Sequence, residues 1–377
     1  MKVPFNIPHL TGKELGYIQE SLNSGNIVGS CAFTKKCESL MEKTFGAKKV
    51  LLTASCTDAL EMASLLADFT INDEVIVPSF TFVSTANAFV LRGAKPVFVD
   101  IRRDTLNMDE TMLEGLITDK TKAIFPVHYG GVSCEMDKIN DIARKYNLIV
   151  VEDAAQGVYA TYKDRYLGTL GNLGAYSFHG TKNYVCGEGG ALVINDDSMI
   201  ERAEILREKG TNRSKFLRGE VDKYTWVDIG SSFLLSDILA AFLYAQLEKL
   251  DEINQKRKAI FDFYYENLKE LEDKGEIRLP IIPDDCKTNY HLFYILLPSV
   301  EKRNQIMDQL KGEGISAVFH YVPLHSSPMG AKFGYKEGNL PITENVSSCL
   351  LRLPFYADLG LEEQSFVVSM VKKFVLQ

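Results

Sequence analysis

One lysine stands in an unusual setting in this chain of 377 residues. Lys182 lies between an apolar run at residues 175–178 and a Gly-Glu-Gly-Gly turn at 187–190, within the stretch AYSFHGTKNYVCGEGGALVIN. Charged side chains are rarely buried without a partner, so a lysine this close to buried strands is either a solvated turn residue or a chemical group. The local sequence alone favours the turn residue.

Two other stretches have residue types that could bind a ligand. Residues 53–59 read TASCTDA, a run of small residues that opens a helix. Backbone N–H groups at a helix start, with Ser and Thr hydroxyls beside them, can bind a phosphate, or the hydroxyls can simply cap the helix. Asp153 follows the apolar run at 148–151. A carboxylate there needs a cationic partner, and a protonated ring nitrogen of a cofactor would serve.

Short apolar runs and helix-length segments alternate over the first 200 or so residues. The pattern predicts a mostly parallel sheet with helices on both faces, in which ligands collect at the carboxyl ends of the strands. A long amphipathic helix is predicted from Ser236 to about Leu268, followed by a smaller domain with strands at 291–295 and 316–320. The predicted strands of the sheet are 74–79, 95–100, 122–127, 148–153, 175–178 and 191–195, and two of its helices are 83–92 and 135–146.

Composition narrows the class of protein. Hydrophobic residues make up 46% and charged residues 24%, as in ordinary globular proteins, and no apolar run reaches the roughly 18 residues that a membrane span needs. The N-terminus has no signal-peptide pattern, so we expect a cytoplasmic protein with no membrane partner. The seven cysteines form no Cys-x-x-Cys pair, which argues against disulfides and a zinc site. A net charge of −8 argues against nucleic acid as the partner.

The candidate residues together favour one cofactor. No Gly-x-Gly-x-x-Gly stretch follows a predicted strand and no Gly-Lys-Ser/Thr loop exists, so dinucleotide and Walker-type nucleotide sites have little support. The candidates suit pyridoxal 5'-phosphate (PLP), because they include a lysine that can form a Schiff base, an acid for a pyridinium nitrogen and donors for one phosphate. We therefore expect a PLP site and no metal.

With these motifs in view, the sequence resembles the DegT/StrS-type sugar aminotransferases, PLP enzymes that act on nucleotide-linked keto-sugars. The similarity runs over essentially the whole chain and includes PSFTFVSTANAFVLRGAKPVFVDI, VEDAAQG, SFHGTKN, GEGGALVIN, REKGTNRSKFLRG and FHYVPLH. It implies the α/β fold of type I PLP transferases, as in aspartate aminotransferase. The large domain, residues 1–250, would hold a mostly parallel sheet of the seven-stranded type, and residues 251–377 a smaller α+β domain.

The resemblance also implies roles for individual residues. Lys182 would hold PLP through its ε-amine and then move the proton between the substrate and the cofactor, and Asp153 would pair with the pyridinium nitrogen. Gln156 would reach the phenolic oxygen, and Phe82 would stack on the ring unless it is a core aromatic. The residues expected to hold the phosphate are Cys56, Thr57, Ser177 and, from a second subunit, Ser232.

Other residues would contact the substrate. Basic side chains crowd around Gly210, which suits either a mobile loop that closes over a diphosphate or a solvated helix end. His179 is expected to be an orienting or core residue rather than a catalytic one, and Gly180 stands where an acidic residue is expected in similar proteins. The predicted substrate-side residues are Arg207, Lys209, Arg213, Lys215 and Arg218 in the basic cluster, and His320, Tyr321 and His325 in the motif FHYVPLH.

Two motifs, KGTNRS and VDKYTWVDIGSS, are similar to those of dTDP-4-amino-4,6-dideoxygalactose transaminases of enterobacterial surface polysaccharides, such as lipopolysaccharide and enterobacterial common antigen. This similarity implies transfer of an amino group from L-glutamate to C4 of dTDP-4-keto-6-deoxyglucose, in a homodimer with shared active sites. The alternatives are the same reaction giving the gluco epimer, a C3 aminotransferase acting on a 3-keto sugar, and a non-catalytic regulator that binds PLP.

Overall fold

The computed structural model describes residues 1–377. Its strands, in chain order, are β1 (Lys49–Thr53), β2 (Glu74–Pro78), β3 (Lys95–Val99), β4 (Thr121–Ile124), β5 (Ile149–Asp153), β6 (Thr161–Tyr162), β7 (Arg165–Tyr166), β8 (Leu173–Ser177), β9 (Gly190–Ile194), β10 (Cys286–Lys287), β11 (Tyr294–Leu296) and β12 (Leu350–Arg352). All six strands predicted for the sheet are present, each within a few residues of its predicted bounds.

Seven strands form the central sheet, in the order β1-β9-β8-β5-β4-β2-β3. The pairs β2/β3, β2/β4, β4/β5 and β5/β8 are parallel, and β9 runs antiparallel to both β8 and β1. The strands are near-continuous apolar runs because both faces of the sheet are covered. The predicted α/β fold with a mostly parallel sheet is confirmed.

Helices cover the two faces of this sheet and build the C-terminal part of the chain. They are α1 (Glu14–Asn23), α2 (Ala32–Phe45), α3 (Cys56–Leu66), α4 (Val83–Val90), α5 (Leu113–Leu116), α6 (Met136–Tyr146), α7 (Ile200–Arg207), α8 (Arg213–Leu217), α9 (Asp237–Leu247), α10 (Leu250–Asp273), α11 (Val300–Gly312), α12 (Pro328–Lys332), α13 (Pro341–Cys349) and α14 (Leu361–Val375). None of them is both long and apolar enough to cross a lipid bilayer.

Side chains of the central strands alternate between two buried cores. Ile76 of β2 packs in the core that contains α2, α6 and α9, whereas Val75 and Val77 pack in the core that contains α3, α4 and α7. The period of two follows from the pleat of a strand. These layers fix the carboxyl ends of β2, β4, β5 and β8 at one edge of the sheet, where the candidate residues lie.

The long helix predicted from Ser236 to Leu268 is two helices, α9 and α10, with a break at Glu248 and Lys249. The apolar side chains of α9 pack against the central sheet, whereas most of those of α10 pack in a third core with α11 and α14. Because the two segments pack in different cores, one straight helix would not bring the apolar side chains of both into contact with their cores. No proline or glycine marks the break in the sequence.

The C-terminal part holds β11 and β12, which pair with each other, and the third core. The strand predicted at 291–295 is found as β11, but the one predicted at 316–320 is a loop with a single bridge between Val318 and Arg352. Val3 pairs with Ile315 and is buried in the same core. The first residues therefore pack with the C-terminal part, and a domain boundary at residue 250 stays a prediction.

Candidate active site

A cavity of about 820 Å³ lies at the carboxyl ends of the central strands, between the sheet and the C-terminal part of the chain. The candidate residues that line it are Cys56, Thr57, Phe82, Asp153, Gln156, Ser177, His179, Lys182, His320 and Tyr321. A polar surface depression of about 680 Å³ around Lys48 and Asn172 contains none of the candidates. The cavity is therefore the candidate active site.

Lys182 lies in a turn after β8, where its backbone N–H donates to the carbonyl of His179 at 2.9 Å. The side chain lines the cavity, and no carboxylate lies within 4.0 Å of its ammonium nitrogen. Burial lowers the pKa of the amine, although the negative charge of Asp153 acts in the opposite direction. A lowered pKa leaves more of the amine neutral, and the neutral amine is the form that attacks a carbonyl carbon.

Asp153 is the last residue of β5, and it is 6% exposed. Its Oδ2 accepts a hydrogen bond from Thr85 Oγ1 at 2.6 Å, and its Oδ1 accepts one from the backbone N–H of Ala155 at 3.1 Å. These donors orient the carboxylate, but no cationic side chain neutralises it. The arrangement fits a bound ring that carries a protonated nitrogen, because a buried carboxylate needs such a partner.

Thr85 was not singled out by the sequence analysis, because a threonine in the first turn of a helix carries no functional signal of its own. We expect Thr85→Val to lower kcat by roughly 10- to 100-fold, because a hydrogen bond to a charged group is worth about 1.5–3 kcal/mol. Steady-state kinetics with circular dichroism checks this. Thr111→Val is the matched control, since it removes a 2.6 Å bond from Thr111 Oγ1 to Asp109 at an exposed site. Equal rates for the two variants would contradict a supporting role for Thr85.

The first turn of α3 lines one part of the cavity. Ser55 caps the helix by accepting from the backbone N–H of Asp58 at 3.0 Å, so the capping interpretation is correct for Ser55. Cys56 and Thr57 come next and line the cavity with Ser177, the last residue of β8. The amide groups of a first helical turn have no partner within the helix and are oriented to bind an anion.

Gly190 permits this end of the cavity to form. A Cβ atom at Gly190 would lie 2.4 Å from the backbone nitrogen of Cys56, so only glycine lets β9 pass this close to the start of α3. Burial raises the pKa of the Cys56 thiol, which keeps it neutral beside an anionic phosphate. The last glycine of the motif GEGG is thus explained by backbone packing against the start of α3.

Phe82 and Gln156 border the space where a ring would bind. Phe82 directly precedes α4 and is 57% exposed, so the interpretation of it as a core aromatic is wrong. Gln156 Oε1 accepts from the backbone N–H of Gly130 at 2.7 Å, and its Nε2 donates to the hydroxyl of Tyr321 at 2.8 Å. These two bonds fix the orientation of the amide and leave its second N–H free to donate.

His320 and Tyr321 form one wall of the cavity. Their rings stack with centroids 3.6 Å apart, and His320 Nδ1 is 2.7 Å from the hydroxyl of Tyr129. Tyr321 has a φ of 36°, a strained conformation for a residue with a side chain. His325, predicted beside them, does not line the cavity, because it is fully buried between Ser79 and Glu344, 2.7 Å from each.

His179 lines the cavity, and Gly180 follows it in the chain. The His179 side chain is 46% exposed, with Nδ1 2.8 Å from Thr181 Oγ1 and Nε2 3.5 Å from Glu188, so it is not a core residue. A Cβ atom at Gly180 would meet only the Gly187 carbonyl at 3.8 Å. The glycine is therefore not required by backbone packing, because a Cβ atom fits there without a clash.

The basic cluster is where the structure departs furthest from the sequence prediction. Arg207 is 5% exposed and forms an ion pair with Glu38 at 2.5 Å, away from the cavity. Its predicted place on a substrate loop is corrected to a place in the core. The other arginines and Lys215 are paired with acidic residues of the same region, in the pairs Arg213–Glu208, Lys215–Glu201, Arg218–Glu204 and Arg218–Glu220.

Lys209 and Ser232 lie together on the surface of the molecule. Lys209 is exposed, and its backbone N–H donates to the carbonyl of Ser231 at 3.0 Å. Ser232 is exposed and forms a bridge with Glu208. Neither residue lines the cavity of its own chain. Their predicted roles therefore require that this surface faces the cavity of another subunit.

We expect Arg207→Ala to lower the free energy of unfolding by about 3–5 kcal/mol, because it leaves the carboxylate of Glu38 buried without a cation. Denaturant unfolding followed by circular dichroism measures this. Arg218→Ala is the control, since it removes exposed ion pairs and should cost less than about 1 kcal/mol. If Arg207→Ala left the stability unchanged and weakened the affinity for the sugar nucleotide, Arg207 would have to be a substrate-binding residue after all.

Comparison with known proteins identifies the family. The chain matches the model of the DegT/DnrJ/EryC1/StrS aminotransferase family over residues 8–372. GDP-perosamine synthase of Escherichia coli O157:H7 is 31% identical over 373 residues, covering 99% of this chain and 98% of that protein. PseC of Helicobacter pylori, an aminotransferase involved in the biosynthesis of pseudoaminic acid, superposes with a TM-score of 0.91 at 27% identity and 100% coverage of both chains.

A further structure bears on the cofactor. NtdA of Bacillus subtilis, solved with bound PMP, superposes with a TM-score of 0.90 at 30% identity, covering 100% of this chain and 86% of that one. PMP is the aminated form of PLP, and the cavity has the lysine, carboxylate and helix start that PLP requires. PLP is therefore the cofactor, and the chain belongs to the DegT/DnrJ/EryC1/StrS family of PLP-dependent sugar aminotransferases.

Proposed function

We propose that this enzyme transfers the amino group of L-glutamate to C4 of dTDP-4-keto-6-deoxy-D-glucose and releases dTDP-4-amino-4,6-dideoxy-D-galactose for surface polysaccharide synthesis. The observation that carries the proposal is the convergence of Lys182, Asp153 and the first turn of α3 on one cavity. Its volume, about 820 Å³, accommodates a cofactor and a substrate together. The motifs KGTNRS and VDKYTWVDIGSS support the choice of the C4 sugar.

PLP, when bound, accepts the amino group and withdraws electrons from the carbon that loses or gains a proton. Lys182 Nζ would bind the cofactor and then hold and return that proton. The carboxylate of Asp153 would keep the ring nitrogen protonated, and the free N–H of Gln156 would donate to the phenolic oxygen. The residues that would hold the phosphate are Cys56, Thr57, Ser177 and, from a partner subunit, Ser232, and Phe82 would cover the ring.

A homodimer with shared active sites is part of the proposal. The segment between α8 and Ser232 exposes Tyr224, Trp226, Val227 and Ile229, and Trp226 is 77% exposed. Contiguous exposed apolar residues are typical of protein interfaces. Lys209, Arg213 and Lys215 belong to the same region, so a second copy that covers it would bring these cations towards the partner's substrate. We also propose a cytoplasmic location, which the seven free thiols support.

The test combines the purified protein, PLP, L-glutamate and dTDP-4-keto-6-deoxyglucose, with product identified by mass and by the NMR couplings of H4. An axial amine at C4 is the expected result, whereas an equatorial amine would overturn the galacto stereochemistry and keep the reaction. Turnover of a 3-keto isomer alone would indicate a C3 aminotransferase. A PLP absorbance band that no amino donor bleaches would indicate a regulator.

A further inference from the structure

His291 lines the cavity near Lys182, and it was not singled out in the sequence. The two residues also border a small internal void of about 10 Å³, together with Ser177 and Asn183. A void of this size holds about one water molecule at most. Nothing larger can therefore lie between the two side chains on this side of the cavity.

The backbone around His291 is held from two sides. Arg257 of α10 donates from Nη2 to the carbonyl of His291 at 2.6 Å and from Nε to the carbonyl of Tyr290 at 2.8 Å. Asn289 donates from Nδ2 to the carbonyl of Gln156 at 2.8 Å. The loop before β11 is thus tied both to α10 and to the segment that follows β5, so the base of the imidazole has a fixed place.

The hydrogen bonds around the ring of His291 fix its tautomer. Asn183 Nδ2 donates to the carbonyl of Asn289 at 2.7 Å, so the amide oxygen of Asn183 faces the ring. His291 Nδ1 lies 2.8 Å from that oxygen. Because an amide oxygen only accepts, Nδ1 carries the hydrogen, and Nε2 of the neutral ring carries a lone pair. Nδ1 also fixes Asn183, the residue that follows Lys182 in the chain.

The surroundings of His291 keep its ring neutral. No carboxylate lies within 4.0 Å of its nitrogens, in contrast to four other histidines, which are His9, His128, His179 and His325. Burial lowers the pKa of His291 well below its ordinary value, and the positive charges of Lys182, Arg257 and Arg352 act in the same direction. Nε2 therefore remains an acceptor near pH 7.

Two polar atoms at this wall of the cavity have no hydrogen-bond partner in the protein, Nε2 of His291 and Nζ of Lys182. Most buried polar atoms have one. Here one atom is an acceptor and the other a donor, and both residues border the same void. An amine that moves a proton works best when one of its N–H groups is held, because this directs its lone pair.

We propose that His291 positions Lys182 for proton transfer, with Nδ1 holding the turn through Asn183 and Nε2 accepting a hydrogen bond from Nζ whenever the lysine is not bonded to the cofactor. This inference rests on the proposed role of Lys182. His291 is a positioning residue, because it acts on cofactor and substrates only through the lysine. The hydrogen bond stabilises the charged amine, so it opposes the effect of burial on the pKa of Lys182.

Two variants separate the two ring nitrogens. An asparagine amide reaches about as far as Nδ1 of histidine and a glutamine amide about as far as Nε2, so His291→Asn keeps a group that bonds Asn183 and His291→Gln keeps an acceptor for Lys182. We expect His291→Asn to lower the rate constants of both half-reactions about 10- to 100-fold and to change the half-saturating concentrations of both substrates less than about 3-fold. His291→Gln should recover most of the loss.

His9→Asn is the matched control. His9 is also nearly buried and bonded through Nδ1, in this case to Asp358, but it does not line the cavity. This variant should leave both rate constants unchanged. Circular dichroism of all three variants checks that they are folded.

Two further measurements need no turnover. In the aminated holoenzyme Lys182 is not bonded to the cofactor, so acylation of its amine as a function of pH, followed by mass spectrometry of its peptide, reports its titration. The midpoint should move to lower pH in His291→Asn but not in His291→Gln or His9→Asn. Nitrogen-15 NMR of wild-type protein with labelled histidine should find Nδ1 of His291 protonated and Nε2 unprotonated, with the signals assigned by their loss in His291→Asn.

Equal losses of rate in His291→Asn and His291→Gln, with unchanged acylation of Lys182, would overturn the inference and leave His291 a structural residue of the turn. An effect on the half-saturating concentration of one substrate alone would indicate a substrate contact instead. A hydrogen on Nε2 in the wild type would overturn it as well. If the wild-type enzyme did not aminate the proposed keto-sugar, the proposed function would fail, while the acylation and NMR results would still decide this inference.

Discussion

Replacement of Lys182 by alanine is expected to lower the rate of amino transfer by at least about 10⁴-fold, because the variant lacks the amine that we propose binds the cofactor and moves the proton. The lysine lies in a turn at the cavity wall, so its removal should not unfold the protein. Product formation from the keto-sugar and L-glutamate measures the effect. Lys182→Arg keeps the charge and should be equally inactive.

Borohydride reduction gives an independent check on Lys182. In the wild-type holoenzyme it should fix the cofactor to the peptide that contains Lys182, and mass spectrometry of Lys182→Ala should find no cofactor attached. Lys48→Ala is the control, since Lys48 is an exposed lysine paired with Asp197 beside the other surface depression. A Lys182→Ala enzyme that converts the keto-sugar at the wild-type rate would refute the assignment.

The second large effect is expected for Asp153→Asn. Leaving a buried charge without its partner costs about 2–5 kcal/mol, which corresponds to a rate loss of roughly 30-fold to several thousand-fold. Asparagine has nearly the same shape and can still accept the 2.6 Å hydrogen bond from Thr85, so the unfolding midpoint should change little. The measurements are kcat and the pH dependence of the cofactor absorbance.

Asp109→Asn is the matched control for Asp153→Asn. Asp109 also accepts from a threonine hydroxyl at 2.6 Å and from a backbone N–H, but it lies on the surface and does not line the cavity. Its replacement should leave kcat within about 2-fold of wild type, as is usual for surface substitutions. If Asp153→Asn were as active as this control, the partner of the ring nitrogen would have to be another group.

The parts of the site that were predictable from sequence are those fixed by strand ends. Asp153 and Ser177 terminate β5 and β8, and ligands bind at the carboxyl ends of parallel strands whatever the loops do. Lys182 could be placed nearby because only a short turn separates it from β8. Local sequence favoured a plain turn residue for Lys182, and the resemblance to a family decided the choice.

Partners that lie far apart in sequence could not be predicted. Arg207 reads as part of a basic cluster, but its carboxylate partner, Glu38, is 169 residues away and becomes a neighbour only through the fold. Arg352 lines the cavity but was not singled out in the sequence, because a lone arginine in the apolar run LLRLP reads as the end of a core strand. The break between α9 and α10 likewise depends on two cores that periodicity alone does not distinguish.

The cavity wall is built from residues near both ends of the chain, with consequences for biosynthesis. Phe5 and Asn6 line it together with Arg352 and Phe355, and Asn6 donates to the carbonyl of Gly180 at 3.3 Å. A nascent polypeptide on the ribosome can fold the central sheet early, since the last strand of that sheet ends at Ile194. The wall that includes Arg352 can form only after β12 has been synthesised, so this wall is completed later than the sheet whose strand ends carry Asp153 and Ser177.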